Sequence, residues 1–314
     1  MFWRVPRSIA IPCMERQSLS AAHPVYVALA RGLESCAAVL TLGLRESIGA
    51  YSAEERDLLR EARVVFFPSI RFVDVLEATG KRTFPSPSTY RFQRSRLQQE
   101  LLIRYLGIPH PRTRFYYGAR QKRHILEGFE YPFLAMGPGH VSSPPRIVRN
   151  ADDLGRACRA FNPVVIQETP AWDERLRLIC VGDACAGALR LHGGGGEAAG
   201  WEPVDIEAMR TGDARATRLP GGSETAAGST RVHGHTGSGK RAPGRGGAEA
   251  AVFRSTHDLM RTAGLDDMVF EWARAGTCWY LVRMERPPST WLTPAGRVHH
   301  GRHLCKLIQS GAFS

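Results

Sequence analysis

The sequence predicts an α/β protein (α+β) in two parts, a small N-terminal α/β domain at residues 1–85 and a larger domain at residues 86–314. Short β-branched apolar runs alternate with segments of helical spacing in the first part, which favours a parallel sheet. Proline and serine are concentrated at residues 84–88, which is typical of a joint between domains. In the second part a short strand, a polar break and a two-stranded hairpin follow one another.

The elements of the first domain follow from its apolar pattern. The pattern predicts a strand at residues 8–13, a helix at residues 25–31 and strands at residues 37–42 and 64–68. Ser52 is followed three residues later by Glu55, which is the spacing of a capping box. We therefore expect a helix that begins after Ser52 and runs to about Ala62.

The second domain mixes helices and strands. We expect helices at residues 92–106, 151–161 and 256–264, the last capped by Thr256, and strands at residues 133–136, 164–166, 176–181, 186–190, 268–273 and 279–285. Residues 192–250 are rich in glycine and poor in large apolar side chains, so we expect a disordered or loosely packed insertion there. Within this insertion, residues 234–241 nearly spell a phosphate-binding loop. Arg241 stands where such a loop needs serine or threonine, and we do not expect a functional one.

The strand at residues 164–166 ends in a polar break. The residues of this break are Gln167, Glu168, Thr169 and Pro170. A strand end offers one hydrogen-bond donor and one acceptor to the edge of a flat ring such as adenine. Arg177 and Arg190 lie on the next two strands, and their planar guanidinium groups suit the oxygens of phosphoryl groups. An ordinary three-stranded meander with surface arginines fits the same residues.

The order of strand, polar hinge, strand, tight turn and strand resembles the nucleotide-binding core of the ATP-grasp superfamily, most closely its RimK-like carboxylate–amine ligases. The residues that carry this resemblance are Gln167, Glu168, Leu176, Arg177, Gly182 and Arg190. The resemblance implies an ATP-grasp fold behind a pre-ATP-grasp domain, with residues 62–68 closing that domain's last strand. It implies that ATP is held by Gln167, Glu168, Thr169 and Arg177. It also implies catalytic roles for Arg177 and Arg190 at the phosphates or the acyl phosphate.

The last hairpin carries the acidic residues that the resemblance implies as magnesium ligands. Glu271 stands at the position of the first ligand and Glu285 at that of the last, so Mg²⁺ is an expected cofactor. Arg283 stands where the family has a glutamate, and its side chain offers no acceptor to a metal. Three interpretations stay open, namely a magnesium ion between the two glutamates, a direct contact of Arg283 with phosphate, or a hairpin with exposed charges.

Two lysines that the family uses at phosphate have no match in this sequence. The strand lysine is replaced by Ala135 or Met136, before a loop that contains Gly137 and Gly139. The helix before residues 107–113 opens with arginines instead of the family's lysine, and these are Arg91, Arg94 and Arg96. The organisation of the family is therefore matched better than its chemistry.

Charge and cysteine usage bound the remaining choices. The formal net charge of +12 attracts polyanions, although the sequence shows no zinc finger, RNA-binding aromatic motif or continuous basic helix. No apolar run approaches the roughly 18–20 residues of a membrane span, and residues 1–7 lack the apolar run of a signal peptide. The seven cysteines form no CxxC pair, which argues against a zinc ribbon or a disulfide framework. We therefore expect a protein of the reducing cytoplasm without a membrane partner.

Three functions follow from these observations. The leading hypothesis is a RimK-like, ATP-dependent carboxylate–amine ligase that acts through an acyl phosphate on an unknown substrate. The second is a degenerate ATP-grasp protein that binds a nucleotide or a partner without catalysis, as the missing lysine and Arg283 suggest. The third is a basic nucleic-acid-binding protein.

Overall fold

The computed structural model describes residues 26–139, 145–192, 200–211 and 245–314. The strand predicted at residues 8–13 and the loop at residues 234–241 lie outside these ranges. The first domain consists of β1 (Tyr26–Ala28), β2 (Leu40–Thr41), α1 (Ala53–Glu61), β3 (Val64–Phe66), α2 (Ile70–Ala78) and β4 (Arg82–Phe84). Its four strands form a parallel sheet in the order β2-β1-β3-β4. The expected parallel sheet is present in this part of the chain.

The prediction of a helix at residues 25–31 is wrong, because residues 26–28 form the strand β1. The strand lies between β2 and β3, and Val27 and Ala28 are fully buried. A central parallel strand is covered on both faces and therefore reads as an unbroken apolar run, which periodicity alone does not separate from a buried helix. The capping box is confirmed, since Ser52 Oγ accepts from the Glu55 amide and the Glu55 carboxylate accepts from the Ser52 amide.

Four helices and a four-stranded antiparallel sheet follow. They are α3 (Pro87–Arg94), α4 (Arg96–Tyr105), β5 (Thr113–Tyr116), α5 (Gly118–Lys122), β6 (Phe133–Met136), β7 (Arg146–Val148), α6 (Ala151–Ala160) and β8 (Val164–Glu168). The strand order is β5-β8-β6-β7. The single helix expected at residues 92–106 is two helices, because Ser95 is extended and its hydroxyl accepts from the Gln98 amide to begin α4.

The rest of the chain builds a five-stranded antiparallel sheet. Its elements are β9 (Glu174–Val181), β10 (Ala184–His192), β11 (Glu202–Val204), α7 (Ile206–Thr211), α8 (Arg245–Ala263), β12 (Asp267–Ala275), β13 (Cys278–Glu285), β14 (Thr290–Thr293), β15 (Gly296–His299) and α9 (His300–Gln309). The order is β11-β10-β9-β12-β13. One face of this sheet packs under α7 and α8, and part of the other packs against the N-terminal domain and α9.

Two expectations for this region need correction. The insertion predicted at residues 192–250 is in part folded, because β11, α7 and the start of α8 lie within it. Thr256 does not cap a helix but lies in the middle of α8, where its hydroxyl donates to the Val252 carbonyl and accepts from Trp272 Nε1. Burial of that hydroxyl against a tryptophan explains why a residue typical of caps occurs inside a helix.

Cys36 and Cys305 form a disulfide between the first domain and α9. The sequence argued against disulfides, because partners separated by 269 positions leave no spacing motif. No helix in the described ranges is long and apolar enough to span a bilayer. The cytoplasmic location stays a prediction.

Candidate functional site

The two antiparallel sheets meet at a narrow cleft. It encloses a cavity of about 40 Å³ between β13, the amino-terminal part of α4 and one face of the four-stranded sheet. The cavity is lined by Arg96, Gln99, Glu100, Ile103, Thr113, Met136, Val165, Gln167, Leu281, Val282 and Arg283. The cleft therefore contains residues from both halves of the second domain, including Gln167 from the predicted hinge.

The alternation of side chains along β6 decides which residue replaces the family's strand lysine. Ala135 is fully buried in the core on the far side of the sheet, together with Phe133 and Ile166. Met136 pairs with Val165, and both line the cleft. Met136 therefore lies on the cleft face of β6 and gives this face an apolar surface.

The predicted hinge lies at the carboxyl end of β8. Gln167 lines the cleft and donates to Thr113 Oγ1 over 3.2 Å. Glu168 points to the other face of the strand, where its carboxylate lies 3.7 Å from Arg112 Nη1 and is about half exposed. Thr169 Oγ1 donates to the Pro132 carbonyl. The structure therefore does not bring the three predicted hinge side chains together on one face.

Arg177 belongs to a row of charges that crosses three strands of the five-stranded sheet. Glu271 is directly opposite Arg177 on one side and Arg283 on the other, so the three side chains share one face. The carboxylate of Glu271 is 2.8 Å from Arg177 Nη2 and 3.6 Å from Arg175 Nη1, and it is buried. We refer to Arg175, Arg177, Glu271 and Arg283 as the charged row.

The ring of Trp201 lies against Arg177, one residue of the charged row. The guanidinium carbon of Arg177 lies 4.1 Å from the centre of the Trp201 ring, which is the geometry of a cation–π contact. Trp201 lies within the stretch that the sequence predicted to be an insertion. A lone tryptophan among glycines was the signal that this part of the segment packs on the sheet.

Glu271 and Glu285 do not form a magnesium site. Glu285 lies 3.0 Å from Arg283 Nη1, and Glu271 is held by Arg175 and Arg177. Within the described residues, no group of three or more histidine, cysteine, aspartate or glutamate side chains is placed to hold a metal ion. Mg²⁺ requires a near-octahedral shell of oxygens, and here each candidate carboxylate already binds guanidinium nitrogens. The residues present do not fit the ion that the resemblance implied.

Arg190 lies on the opposite face of the five-stranded sheet from Arg177. Arg190 is directly opposite Leu176, whereas Arg177 is directly opposite Leu189, and neighbouring positions of a strand point to opposite faces. Its nitrogens lie 2.9 Å from Glu174 and 2.7 Å from Glu249, with only 6% of the side chain exposed. The structure therefore does not bring Arg190 into the cleft with Arg177.

Arg96 is the cleft residue that the sequence did not single out from its neighbours. Its guanidinium donates to the carbonyls of Gly137 and Gly139, over 3.1 and 3.4 Å, and so ties the glycine loop to α4. Burial and, to a lesser extent, the positive charge of Arg283 lower the pKa of Arg96 to about 10, while Glu285 opposes the shift. Because both arginines line the cavity and the charge of Arg283 acts on Arg96, the two lie at the same end of the cleft.

The sequence matches no protein-family model and no curated protein. Among solved structures, a RimK domain ATP-grasp protein from Sphaerobacter thermophilus superposes with a TM-score of 0.53 and 15% identity, over 83% of this chain and 90% of that one. The ATP-grasp ligase PsnB with precursor peptide PsnA2 and AMPPNP gives a TM-score of 0.54 and 13% identity, over 93% and 99%. The N5-carboxyaminoimidazole ribonucleotide synthetase purK, in its ADP complex, gives 0.54 and 10% over 83% of this chain, which spans 63% of that protein's length. At these identities the likeness is one of fold.

Proposed function

We propose, from the ATP-grasp fold of this chain, that it binds ATP in the cleft between its two sheets. The observation that carries the proposal is the meeting of an apolar sheet face with arginines of the opposite wall. A nucleotide needs both, since its base requires a flat apolar slot and its phosphates require cations.

The apolar wall suits an adenine ring. Met136 and Val165 present hydrocarbon and thioether surface toward the cleft, and Gln167 adds an amide with both a donor and an acceptor. The segment after Glu168 supplies the ring edge with backbone groups, although Pro170 has no N–H to donate. We propose that Gln167 and the backbone around Thr169 hold the base, and that Glu168 supports this end through its pairing with Arg112.

The opposite wall suits phosphates. Arg96 and Arg283 line the cavity beside the apolar slot, and Arg177 lies on the same sheet face as Arg283. Each guanidinium has planar N–H donors that match phosphoryl oxygens in pairs. We propose that these three arginines bind the triphosphate. Arg190 has no part in this contact, because it lies beneath the sheet.

The cleft must open before a nucleotide enters. Its present cavity of about 40 Å³ is small beside the roughly 300–1,000 Å³ of ordinary small-molecule sites. The four-stranded sheet is joined to the rest of the chain by two short segments, residues 106–112 and 169–173, so rotations there would separate the two sheets. Such hinge motions use a few loop residues and leave the sheets intact.

The finer proposal concerns the reaction. In a carboxylate–amine ligase, a substrate carboxylate oxygen attacks the γ-phosphorus of ATP, the bond to the β-phosphate oxygen breaks, and an acyl phosphate and ADP result. An amine then attacks the acyl carbon, loses a proton and expels inorganic phosphate. Here Arg177 and Arg283 would stabilise the charge on the transferred phosphoryl group. RimK-like specificity for the carboxylate and amine belongs to this proposal.

A second candidate function is nucleotide binding without ligation. It is favoured by Met136, which occupies the strand position at which a lysine would grip the phosphates, and by the paired state of Glu271. Release of ADP from ATP in the presence of carboxylate and amine mixtures separates the two candidates. A chain that binds ATP and releases none supports the second.

The proposed site is tested by thermal denaturation with ATP. We expect ATP to raise the melting temperature of the native chain, because a ligand that binds only the folded state stabilises it by mass action. Arg177→Ala should abolish the shift, and Arg177→Lys should keep part of it, since the lysine preserves the charge but loses the fork. The matched control is Arg210→Ala on α7, where the arginine is exposed and pairs with the nearby, exposed Glu207.

Three results would contradict the proposed site. Absence of any ATP-dependent shift in the native chain would refute nucleotide binding. An unchanged shift in folded Arg177→Ala would remove that arginine from the site. A shift produced by polyanions but not by ATP, and lost in salt, would favour the nucleic-acid hypothesis that the net charge of +12 suggested.

A further inference from the structure

The phosphate end of the cleft has more guanidinium groups than carboxylates. Arg96 and Arg283 line the cavity, and Arg175 and Arg177 lie on the same sheet face as Arg283. The acids among these arginines are Glu271 and Glu285. Glu100 also lines the cavity but has its own partners, Arg104 Nε at 2.6 Å and His110 Nε2 at 3.2 Å. An anion that enters this space therefore meets an excess of positive charge without any metal ion.

The charged row holds its cations where phosphates would lie. Glu271 accepts from Arg177 Nε at 2.9 Å and Nη2 at 2.8 Å, and Trp201 covers the other side of the guanidinium. Arg177 is thus fixed before any ligand arrives, which lowers the entropy that binding costs. A buried carboxylate in this position is a counter-ion for arginine, and removing it to bind a metal would leave two guanidinium groups without their partner.

The residue at position 283 decides whether this part of the cleft suits a metal ion or a phosphate. It stands directly opposite Glu271 on the edge strand β13, lines the cavity, and has a side chain about one quarter exposed. A glutamate at this position would form, with Glu271 and Glu285, a set of oxygen donors of the kind that Mg²⁺ prefers. An arginine turns the same position into a phosphate donor.

We infer that arginines replace magnesium in this cleft, so that a nucleoside triphosphate binds as its metal-free anion. This inference rests on the proposed function, because it assumes that a nucleotide occupies the cleft. It goes beyond it in naming the ligand species, free ATP and not the magnesium complex. Arg96, Arg177 and Arg283 contact the phosphates, and Glu271 holds Arg177 in place.

Isothermal titration calorimetry with ATP, in EDTA and in excess magnesium, tests the inference on the full chain. We expect Kd in EDTA to equal that in magnesium or to be lower, with a difference of less than about threefold counted as equal. Binding should weaken as salt rises, since the contacts are between exposed and half-buried charges. Binding that appears only with magnesium would overturn the inference and leave the proposed function standing. No binding in either buffer would overturn the proposed function itself.

Arg283→Glu tests the inference by replacing the positive charge at this position with a negative one. We expect it to weaken ATP binding in EDTA by about tenfold or more, and magnesium to restore part of the loss, because a third carboxylate then joins Glu271 and Glu285. The charge-matched control is Arg297→Glu, on the exposed part of β15, which should change neither value. If Arg283→Glu does not fold, Arg283→Gln serves in its place, with weaker binding in EDTA expected. Unchanged affinity in EDTA for a folded variant would refute the role of Arg283.

Discussion

Arg190 is a buried cation whose two partners define its role. Its guanidinium lies between Glu174 and Glu249, under α8, with 6% of the side chain exposed. Glu174 also lies 3.3 Å from Arg274, so the pair belongs to a small network. Removing one member of such a network leaves the others charged in a poorly solvated place, which costs more than the intact network contributes.

We predict that Arg190→Met destabilises the chain by about 3–5 kcal/mol, the range for breaking a buried ion pair. Urea denaturation followed by circular dichroism measures the loss. The ATP-dependent shift of the folded variant should persist, because Arg190 lies on the far face of the sheet from the cleft. Arg210→Met on the surface of α7 should change stability by less than about 0.5 kcal/mol.

The opposite result would restore the role that the sequence predicted for Arg190. A variant with native stability but without a nucleotide-dependent shift would place this residue at the phosphates. The double variant Arg190→Met, Glu249→Leu adds a second check. It should recover part of the lost stability, since it removes one of the stranded charges along with the cation.

A bulge between β9 and β10 places Arg190 on the sheet face opposite to that of Arg177. The pairing begins as Ala184 with Val181 and shifts by one residue between Cys185 and Gly187. Without that shift Arg190 would lie opposite Arg175 and share a face with Arg177, because a one-residue slip moves every later side chain to the other face. Gly187 lies against the Trp291 ring so closely that a Cβ atom would approach the ring nitrogen to 2.6 Å. The bulge therefore depends on a contact from a distant part of the chain.

The elements that the sequence predicted correctly are those with local signals. The capping box at Ser52, the strand at residues 133–136 and the hairpin of β12 and β13 depend on spacing within a few residues. The burial of β1, the position of Thr256 inside α8 and the pairing of Glu271 with Arg177 depend on contacts between distant segments. In the site, residue types and order were predictable, but the face on which each side chain lies was not.

Where the first domain meets the five-stranded sheet, the carboxylate of Asp266 binds the segment that begins α3. Asp266 precedes β12 and accepts from the Ser86 amide at 2.9 and 3.0 Å and from Thr89 Oγ1 at 2.8 Å, at the start of α3. Burial raises the pKa of Asp266 to about 7, against the lowering effect of these hydrogen bonds. The neighbouring Asp267 raises it further, while its carboxylate contacts His300 Nε2 at 2.7 Å.

We predict that the free energy of unfolding falls as pH rises through the range between the ordinary value for aspartate, 3.8, and about 7. Over this range the folded state binds more protons at Asp266 than the unfolded state, so each rise in pH favours unfolding. The loss is about 1.4 kcal/mol for each unit by which folding raises the pKa. Asp266→Asn keeps an acceptor for the Ser86 amide and should flatten this slope, as measured by urea denaturation between pH 5 and pH 8, a range chosen around the pKa of about 7.

Asp258→Asn is the matched control for this measurement, because Asp258 is exposed on α8 and pairs with the exposed Arg261. It should leave the slope unchanged. A slope that is the same in the native chain and in Asp266→Asn would show that Asp266 is ionised across the whole range, and the proposed origin of the pH dependence would be wrong.

At the scale of the whole molecule, the C-terminal helix closes the first domain onto the five-stranded sheet. Leu304 and Ile308 of α9 are buried in the core that the two share, and the Phe313 ring lies 5.1 Å from Phe66 and 5.3 Å from Phe84, measured between ring centres. Gly301 approaches the Gly32 carbonyl so closely that a side chain has no room there. Among the described residues, none from the four-stranded sheet belongs to this core, so the two sheets can separate without disturbing it.

The disulfide between Cys36 and Cys305 links α9 covalently to the first domain, and its contribution to the free energy of unfolding can be measured. The bridge joins residues 269 positions apart, so it restricts most of the unfolded chain. Constraining the unfolded state in this way stabilises a protein by about 2–5 kcal/mol. We expect Cys305→Ser, or treatment with a reductant, to lower the free energy of unfolding by that amount, whereas Cys278→Ser, at an exposed free thiol, should have no effect.

Alkylation of the denatured, unreduced chain should modify all of the described cysteines except Cys36 and Cys305, and labelling of these two would refute the bridge. Because α9 and the first domain pack on the sheet through apolar contacts as well, the reduced chain should keep its fold and its ATP-dependent shift. Loss of both together would mean that the cleft depends on the bridge.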